Sequence, residues 1–268
     1  MYVRGREVDQ ETAVREAARL IAASRYCTAL VGAGISKESG IPTFRGEGGL
    51  WTRLGEPPMN GYQIFIEDPR AWWLERLAQQ RNPPDFARAI DQASPNPGHH
   101  ALAELERRGL LKHLITQNVD GLHVDAGSER LTEIHGNRRK LRCIACGRRG
   151  PARDFAEDEV PPACDRCGGI VKTDTVMFGE PIPRAFLDTC FEETARSDLM
   201  LVIGTSATVY PAADFPLQVL RSGGEIVEFN VDETPFSRHA AVVLRGPSGE
   251  LLPRVVAALD EVATDGTA

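Results

Sequence analysis

Apolar residues follow two kinds of pattern along this chain. Between Glu11 and Ser24 they recur at Val14, Ala17, Ala18, Ile21 and Ala22, the spacing that gathers them on one face of a helix. Cys27-Thr28-Ala29-Leu30-Val31 and Leu199-Met200-Leu201-Val202-Ile203 are instead compact, nearly unbroken apolar runs, as in strands covered on both faces. Leu111 to Thr116 and Glu225 to Phe229 read as further strands. Thr175 to Glu180 reads as a short strand closing in a glycine. Gly98 to Gly109, Phe186 to Ala195, Tyr210 to Ser222 and Leu251 to Val262 read as helices. Gly46 to Pro97 is broken by Pro57-Pro58, Pro83-Pro84 and Pro95-Asn96-Pro97 into short helical pieces, a helical insertion. Trp51, Tyr62, Phe65, Trp72, Trp73, Leu74 and Leu77 would give it a small core or one wall of a groove. Strands alternating with helices predict an α/β fold with a parallel sheet.

Four strands end in small and polar residues: Gly32-Ala33-Gly34, Gln117-Asn118-Val119-Asp120, Gly204-Thr205-Ser206 and Asn230-Val231-Asp232. The carboxyl ends of parallel strands open onto one crevice, where such sheets bind their ligands. Strand, glycine loop and helix start around Gly32 is the context in which backbone N–H groups hold a pyrophosphate. The dehydrogenase fingerprint is not met, because its third glycine would fall at Lys37. Nor does an acidic residue stand about 20 positions on at a second strand end, where a ribose would be gripped. A nucleotide without hydride transfer is the expectation. Asn118 and Asp120 lie two apart and share one side of an extended backbone. His135 follows a second short apolar run and is closed by Gly136, which permits close approach. Asn-Val-Asp-Gly is also ordinary turn chemistry; the recurrence of polar ends on four strands favours a site.

Composition narrows the class. With 268 residues the chain can bury a sizeable core, and 42% hydrophobic with 26% charged residues is the balance of a soluble globular protein. A net charge of −7 argues against direct nucleic-acid binding, which needs a basic surface. The N-terminus carries no apolar signal region and no run is long enough to span a membrane, so no membrane partner and a cytoplasmic location are expected. Cys143-Ile144-Ala145-Cys146 and Cys164-Asp165-Arg166-Cys167 are two C-x2-C pairs separated by 17 residues. Four soft thiolates from two knuckles suit one tetrahedral Zn2+ and leave no open position for a metal-bound water, so the ion is read as structural. Disulfides and a thioredoxin-like pair fit an intracellular, doubled motif less well. Cys27 and Cys190 read as buried apolar residues.

These features together resemble the sirtuins, the NAD-dependent protein deacylases. The matching residues are Gly32-Ala33-Gly34-Ile35-Ser36, Glu38-Ser39-Gly40-Ile41-Pro42, Phe44-Arg45-Gly46, Thr116 to His123 and His135-Gly136. The paired cysteine knuckles, Phe178-Gly179-Glu180, Gly204-Thr205-Ser206 and Asn230 follow in the family's order. The resemblance implies a Rossmann-like NAD domain from 10–45, 96–136 and 175–262. A small domain would combine the helical insertion, 46–95, with a zinc module, 137–174. It implies that Gly32, Ala33 and Gly34 hold the pyrophosphate, with Ser36 and Glu38 beside them, and that Phe44 and Arg45 line a cofactor loop. Gln117 and Asn118 would contact the nicotinamide ribose and Asp120 the carboxamide, Asn118 being counted catalytic with His135, the general base. Gly204, Thr205, Ser206, Asn230, Val231 and Asp232 would grip the adenosine half. The acyl-lysine peptide would add as a strand between Val176, Phe178, Gly179 and Glu180 on one side and Val209 on the other. Sirtuins that remove succinyl groups carry a Tyr-x-x-Arg pair, which falls here at Arg76 and Gln79; an acetyl preference is therefore implied. Desuccinylation or demalonylation, a mono-ADP-ribosyltransferase on the same scaffold and a zinc-ribbon binding module are the alternatives.

Overall fold

The computed structural model describes residues 1–44, 48–155 and 159–265. The chain opens with β1 (Tyr2–Val3), β2 (Arg6–Glu7), α1 (Gln10–Ala23) and β3 (Cys27–Val31), then a 3-10 helix over Ala33–Ser39. Four helices follow: α2 (Leu50–Leu54), α3 (Gly61–Glu67), α4 (Pro69–Arg81) and α5 (Asp85–Gln92). Next come α6 (Pro97–Arg107), β4 (Leu111–Thr116), α7 (Leu122–Asp125) and β5 (Leu131–Glu133). The cysteine region holds β6 (Lys140–Cys143), β7 (Arg149–Pro151) and β8 (Val171–Thr173). The chain closes with α8 (Arg184–Arg196), β9 (Leu199–Ile203), α9 (Asp214–Arg221), β10 (Glu225–Asn230), β11 (Val242–Arg245) and α10 (Ser248–Asp265).

Among the described residues, eight strands form one sheet in the order β2-β1-β11-β10-β9-β3-β4-β5. From β11 to β5 the pairing is parallel, and only the N-terminal hairpin joins antiparallel. The compact apolar runs explain the layering. Leu199, Leu201 and Ile203 of β9 pack with α1, α6 and α10, while Met200 and Val202 pack with α8 and α9. β3 divides the same way, with Cys27, Ala29 and Val31 on one face and Leu30 on the other. Successive side chains point to opposite faces, so a strand buried on both must be apolar throughout. From β3 the chain first builds outward through β4 and β5, then returns to build β9, β10 and β11 on β3's other side. The strand order therefore reverses between β3 and β9, and a crevice opens outside their carboxyl ends.

β7, β6 and β8 make a separate antiparallel sheet. The helical insertion meets it where the Trp73 indole donates to the Val171 carbonyl at 2.8 Å. Phe65 and Trp73 are buried there, whereas Leu74 and Leu77 stay exposed, so the small core is narrower than the sequence implied.

Two local expectations are corrected. Thr175 to Glu180 is not a strand: the Met177 N–H is taken by the Glu180 carboxylate at 2.8 Å, Gly179 has φ +79°, and the segment turns. The helix expected from Tyr210 starts at Asp214, because a residue before proline is pushed out of the helical region and Tyr210 precedes Pro211. The helix start expected after Gly32 takes the form of a 3-10 helix. β1, β2 and β11, the short strands at one edge of the sheet, were not expected from the sequence. No helix among the described residues is long and apolar enough to cross a membrane.

Candidate active site

The crevice is built from close backbone approach. Gly32 N–H donates to the Ile203 carbonyl at 2.9 Å and Gly34 N–H to the Gly204 carbonyl at 2.7 Å. A Cβ on Gly34 would stand 2.6 Å from Gly204 Cα, and one on Gly32 would stand 2.7 Å from Thr205 Cβ. The β3 and β9 loops interlock only because Gly32, Gly34 and Gly204 carry no side chains there. Asn96, which the sequence gave no functional weight, pins the loop from outside. Its amide donates to the Ile35 carbonyl at 2.7 Å and to Ser39 Oγ at 3.0 Å while its own carbonyl oxygen caps α6. The Asn-Pro pair opening a helix was the available signal.

Ser36 is the centre of the polar cluster. Its buried hydroxyl donates to Asp120 Oδ2 at 2.8 Å and accepts from the Asn118 amide at 3.1 Å. That amide also donates to the Gly32 carbonyl at 3.1 Å. Asp120 takes a second bond from the Leu122 N–H at 3.0 Å. Burial raises the Asp120 pKa above the ordinary carboxylate value, against the lowering effect of these two donors. Asn118 and Asp120 thus meet one partner, as their spacing predicted. Gln117 reaches across to Thr205 Oγ1 at 2.9 Å, and the Asn230 amide donates to the Thr205 carbonyl at 2.8 Å. The strand ends of β3, β4, β9 and β10 are thereby linked in one polar floor.

His135 sits at its edge. Its Nδ1 lies 3.1 Å from the Gln117 carbonyl. A carbonyl only accepts, so Nδ1 carries the proton and Nε2 keeps its lone pair. The ring retains some solvent contact, yet the protein packed around it pulls its pKa below 6.5, opposed by the bond to Gln117. A neutral imidazole held by one nitrogen with the other presented as a base is equipped for general-base work.

Other candidate residues have different surroundings. The Glu38 carboxylate accepts from Gly249 N–H at 2.7 Å and so caps the start of α10, a role in the fold that the motif did not signal. Phe44 packs on Trp51 and Phe86 with ring centres 4.9 and 5.4 Å away, and Trp51 continues to Phe178 at 5.5 Å. Arg45 and Gly46 lie outside the described residues. Ser206 bonds Thr208, and Val231 is exposed beyond β10. The Val176 N–H donates to the His135 carbonyl at 2.8 Å, which ties the expected peptide segment to the histidine turn. The Glu180 carboxylate is buried among Arg142, Lys172 and the Met177 N–H, so any part it plays in peptide binding runs through the backbone it holds. A cleft of about 640 Å³ opens elsewhere, beside Arg25, Lys112, His113 and Arg196 at the amino ends of β3 and β4; no motif falls in it.

The four knuckle cysteines converge. Their sulfurs lie within 4.8 Å of one another, with Cys143 to Cys167 at 3.6 Å and Cys146 to Cys164 at 3.8 Å. Tetrahedral Zn–S bonds of about 2.3 Å place sulfurs about 3.8 Å apart, so the donor set fits zinc and fills all four positions.

Comparison with known proteins identifies the family. The model of the Sir2 family matches residues 32–211. An NAD-dependent protein deacylase of Thermococcus kodakarensis is 41% identical over 255 residues, 93% of this chain and 96% of that protein. A solved complex of a Sir2 homologue with NAD is 41% identical, covers 96% of this chain and 95% of its own, and has a TM-score of 0.75. A Sir2 protein solved with a deacetylated p53 peptide and 3′-O-acetyl-ADP-ribose is 36% identical, covers 91% and 97%, and has a TM-score of 0.73.

Proposed function

The chain belongs to the Sir2 family, and from that premise we propose that it is an NAD-dependent protein lysine deacylase with acetyl as its preferred acyl group. The observation that carries the reading is His135, fixed through Nδ1 and open at Nε2, beside the Asn118–Ser36–Asp120 cluster at the strand-order reversal. In this reading 10–45, 96–136 and 175–262 form the cofactor domain, and 46–95 with 137–174 form the small domain. The interlocked Gly32, Gly34 and Gly204 loops fit a dinucleotide, because no Cβ stands between the backbone and a pyrophosphate. Bound NAD supplies an electrophilic ribose carbon, exposed as nicotinamide leaves, and the hydroxyl that accepts the acyl group.

The chain's own residues do the rest. Ala33 and Ser36 extend the glycine cradle, and Phe44 lines the cofactor loop that follows it. Gln117 and Asn118 orient the ribose through side-chain amides, and Asp120 receives the carboxamide. Gly204, Thr205, Ser206, Asn230, Val231 and Asp232 face the adenosine half. His135 would take a ribose hydroxyl proton at Nε2. The peptide backbone lies between the 176–180 segment and Val209. The four cysteines hold a zinc ion away from the reacting atoms. Incubation with NAD and an acetyl-lysine peptide is expected to give the free lysine and O-acetyl-ADP-ribose by mass spectrometry. ADP-ribosylated protein without deacylation would replace this reading with a transferase.

The pH dependence has a definite sign. Burial depresses the His135 pKa below 6.5, so the base form dominates above that value and is lost as pH falls through it. The acid limb of kcat/KM, which reports the free enzyme, is expected below pH 6.5. An acid limb centred above pH 7 would assign the base to another group.

Acyl choice follows from the helical insertion. Gln79 is exposed and bonds Glu75 at 3.2 Å, so it is turned to the helix surface. Arg76 lies over the Trp72 ring at 5.7 Å, and burial lowers its pKa, with Arg138 adding repulsion. No tyrosine–arginine pair is present on this helix to receive a second carboxylate, and an unpaired charge in an apolar channel costs more than about 1.4 kcal/mol, a tenfold preference. The kcat/KM for acetyl-lysine is expected to exceed that for succinyl-lysine on one peptide by that factor or more. A succinyl preference lost in Arg76→Ala would assign carboxylate reading to Arg76.

A further inference from the structure

We propose that Lys172 is a positioning residue for the acyl-peptide, holding the 175–180 segment in its receptive turn. The proposal rests on the assignment of that segment to peptide binding above. Lys172 is the middle residue of β8, and its side chain is fully buried. Its ammonium donates to the Thr173 carbonyl at 2.7 Å and the Thr175 carbonyl at 2.8 Å, and pairs with Glu180 Oε2 at 3.0 Å. Thr175 is the entry to the segment and Glu180 its exit, so one ammonium clamps both ends.

The Glu180 carboxylate passes the constraint inward. It accepts from the Met177 N–H at 2.8 Å and pairs with Arg142 of β6 at 2.7 Å. Between the clamped ends, Val176 is bonded to the His135 carbonyl and the Phe178 carbonyl accepts from Tyr62 N–H at 2.9 Å. The segment is a turn with little regular structure of its own, so its shape depends on these fastenings. Arg142 also reaches Asp174, whose carboxylate accepts from Asn137 N–H two residues beyond His135. The groups facing the ammonium are therefore Glu180 on the loop, Asp174 beside it, Arg142 on β6 and, across Glu180, Tyr62 on α3. Burial holds the Tyr62 phenol above its ordinary value, and burial brings the Lys172 pKa down to about 8. The clamp is charged below that pH and lost above it.

The test measures peptide KM, NAD KM and kcat across pH, with anisotropy of a labelled acetyl-lysine peptide as a binding readout. Lys172→Met is expected to raise peptide KM and Kd by about tenfold or more, the loss of one charge-assisted clamp. NAD KM and kcat at saturating peptide should change less than about threefold, since the NAD cradle makes none of these bonds. In the parent, peptide KM should climb as pH rises through 8. Lys172→Arg should restore binding and flatten that climb, because a guanidinium stays protonated. An unchanged peptide KM, or peptide and NAD KM rising together with a lowered Tm, would overturn the proposal. If Lys172→Met does not fold, the two pH profiles decide alone: a flat parent profile, or identical profiles in parent and Lys172→Arg, overturns it. Failure of the parent to deacylate any acyl-peptide would instead count against the proposed function.

Discussion

Replacing His135 by alanine is expected to lower kcat by about 10² to 10⁴, the usual contribution of a positioned general base. NAD affinity should change little, because among the described residues the ring bonds only the Gln117 carbonyl and none of the glycine loops. The Ser36–Asn118–Asp120 cluster is complete without the imidazole, so the crevice keeps its shape. The loss should therefore appear in single-turnover deacylation and not in NAD binding measured by calorimetry. Activity within a few-fold of the parent would make His135 a structural residue.

Loss of the metal should act on stability rather than on one chemical step. Metal analysis is expected to give one zinc per chain, and Cys143→Ser or Cys164→Ser should lower Tm by about 10 °C or more, since metal binding is folding energy in such modules. Among the described residues, Cys143 and Cys164 are buried in an apolar cluster completed by Phe155, Val171 and the partly buried Leu141. That core is too small to hold three short strands without a cross-link. A metal-free preparation that stays folded and fully active would remove zinc from the account.

The central strands were legible because burial on both faces leaves no choice of residue: Cys27 to Val31 and Leu199 to Ile203 must be apolar whichever way they turn. Their polar ends were legible because only functional or turn residues stand where an apolar strand meets water. The Thr175 to Glu180 segment was misread because Val176, Met177 and Phe178 have strand propensity while no neighbouring strand pairs with them. The decisive bond there, Glu180 to the Met177 N–H, depends on Lys172 and Arg142 arriving from β8 and β6. Glu38 shows the converse: the motif fitted, but its carboxylate is drawn to Gly249, 211 positions away, where sequence spacing is silent. The edge strands were missed because two residues in β1 and in β2 carry no periodicity to read.

The strand order also governs how the chain can be made. β3 leaves the ribosome early, yet one of its two neighbours is β9; Tyr26 and Asp198, bonded at the start of these strands, are 172 positions apart. At about 5 to 20 residues per second, roughly 10 to 30 s of synthesis separates the two. Throughout that interval β3 keeps its β9-facing edge open, the surface on which nascent chains stick to one another. The yield of native protein is therefore expected to fall as the density of ribosomes synthesising it rises, an effect separate from the stability of the finished sheet.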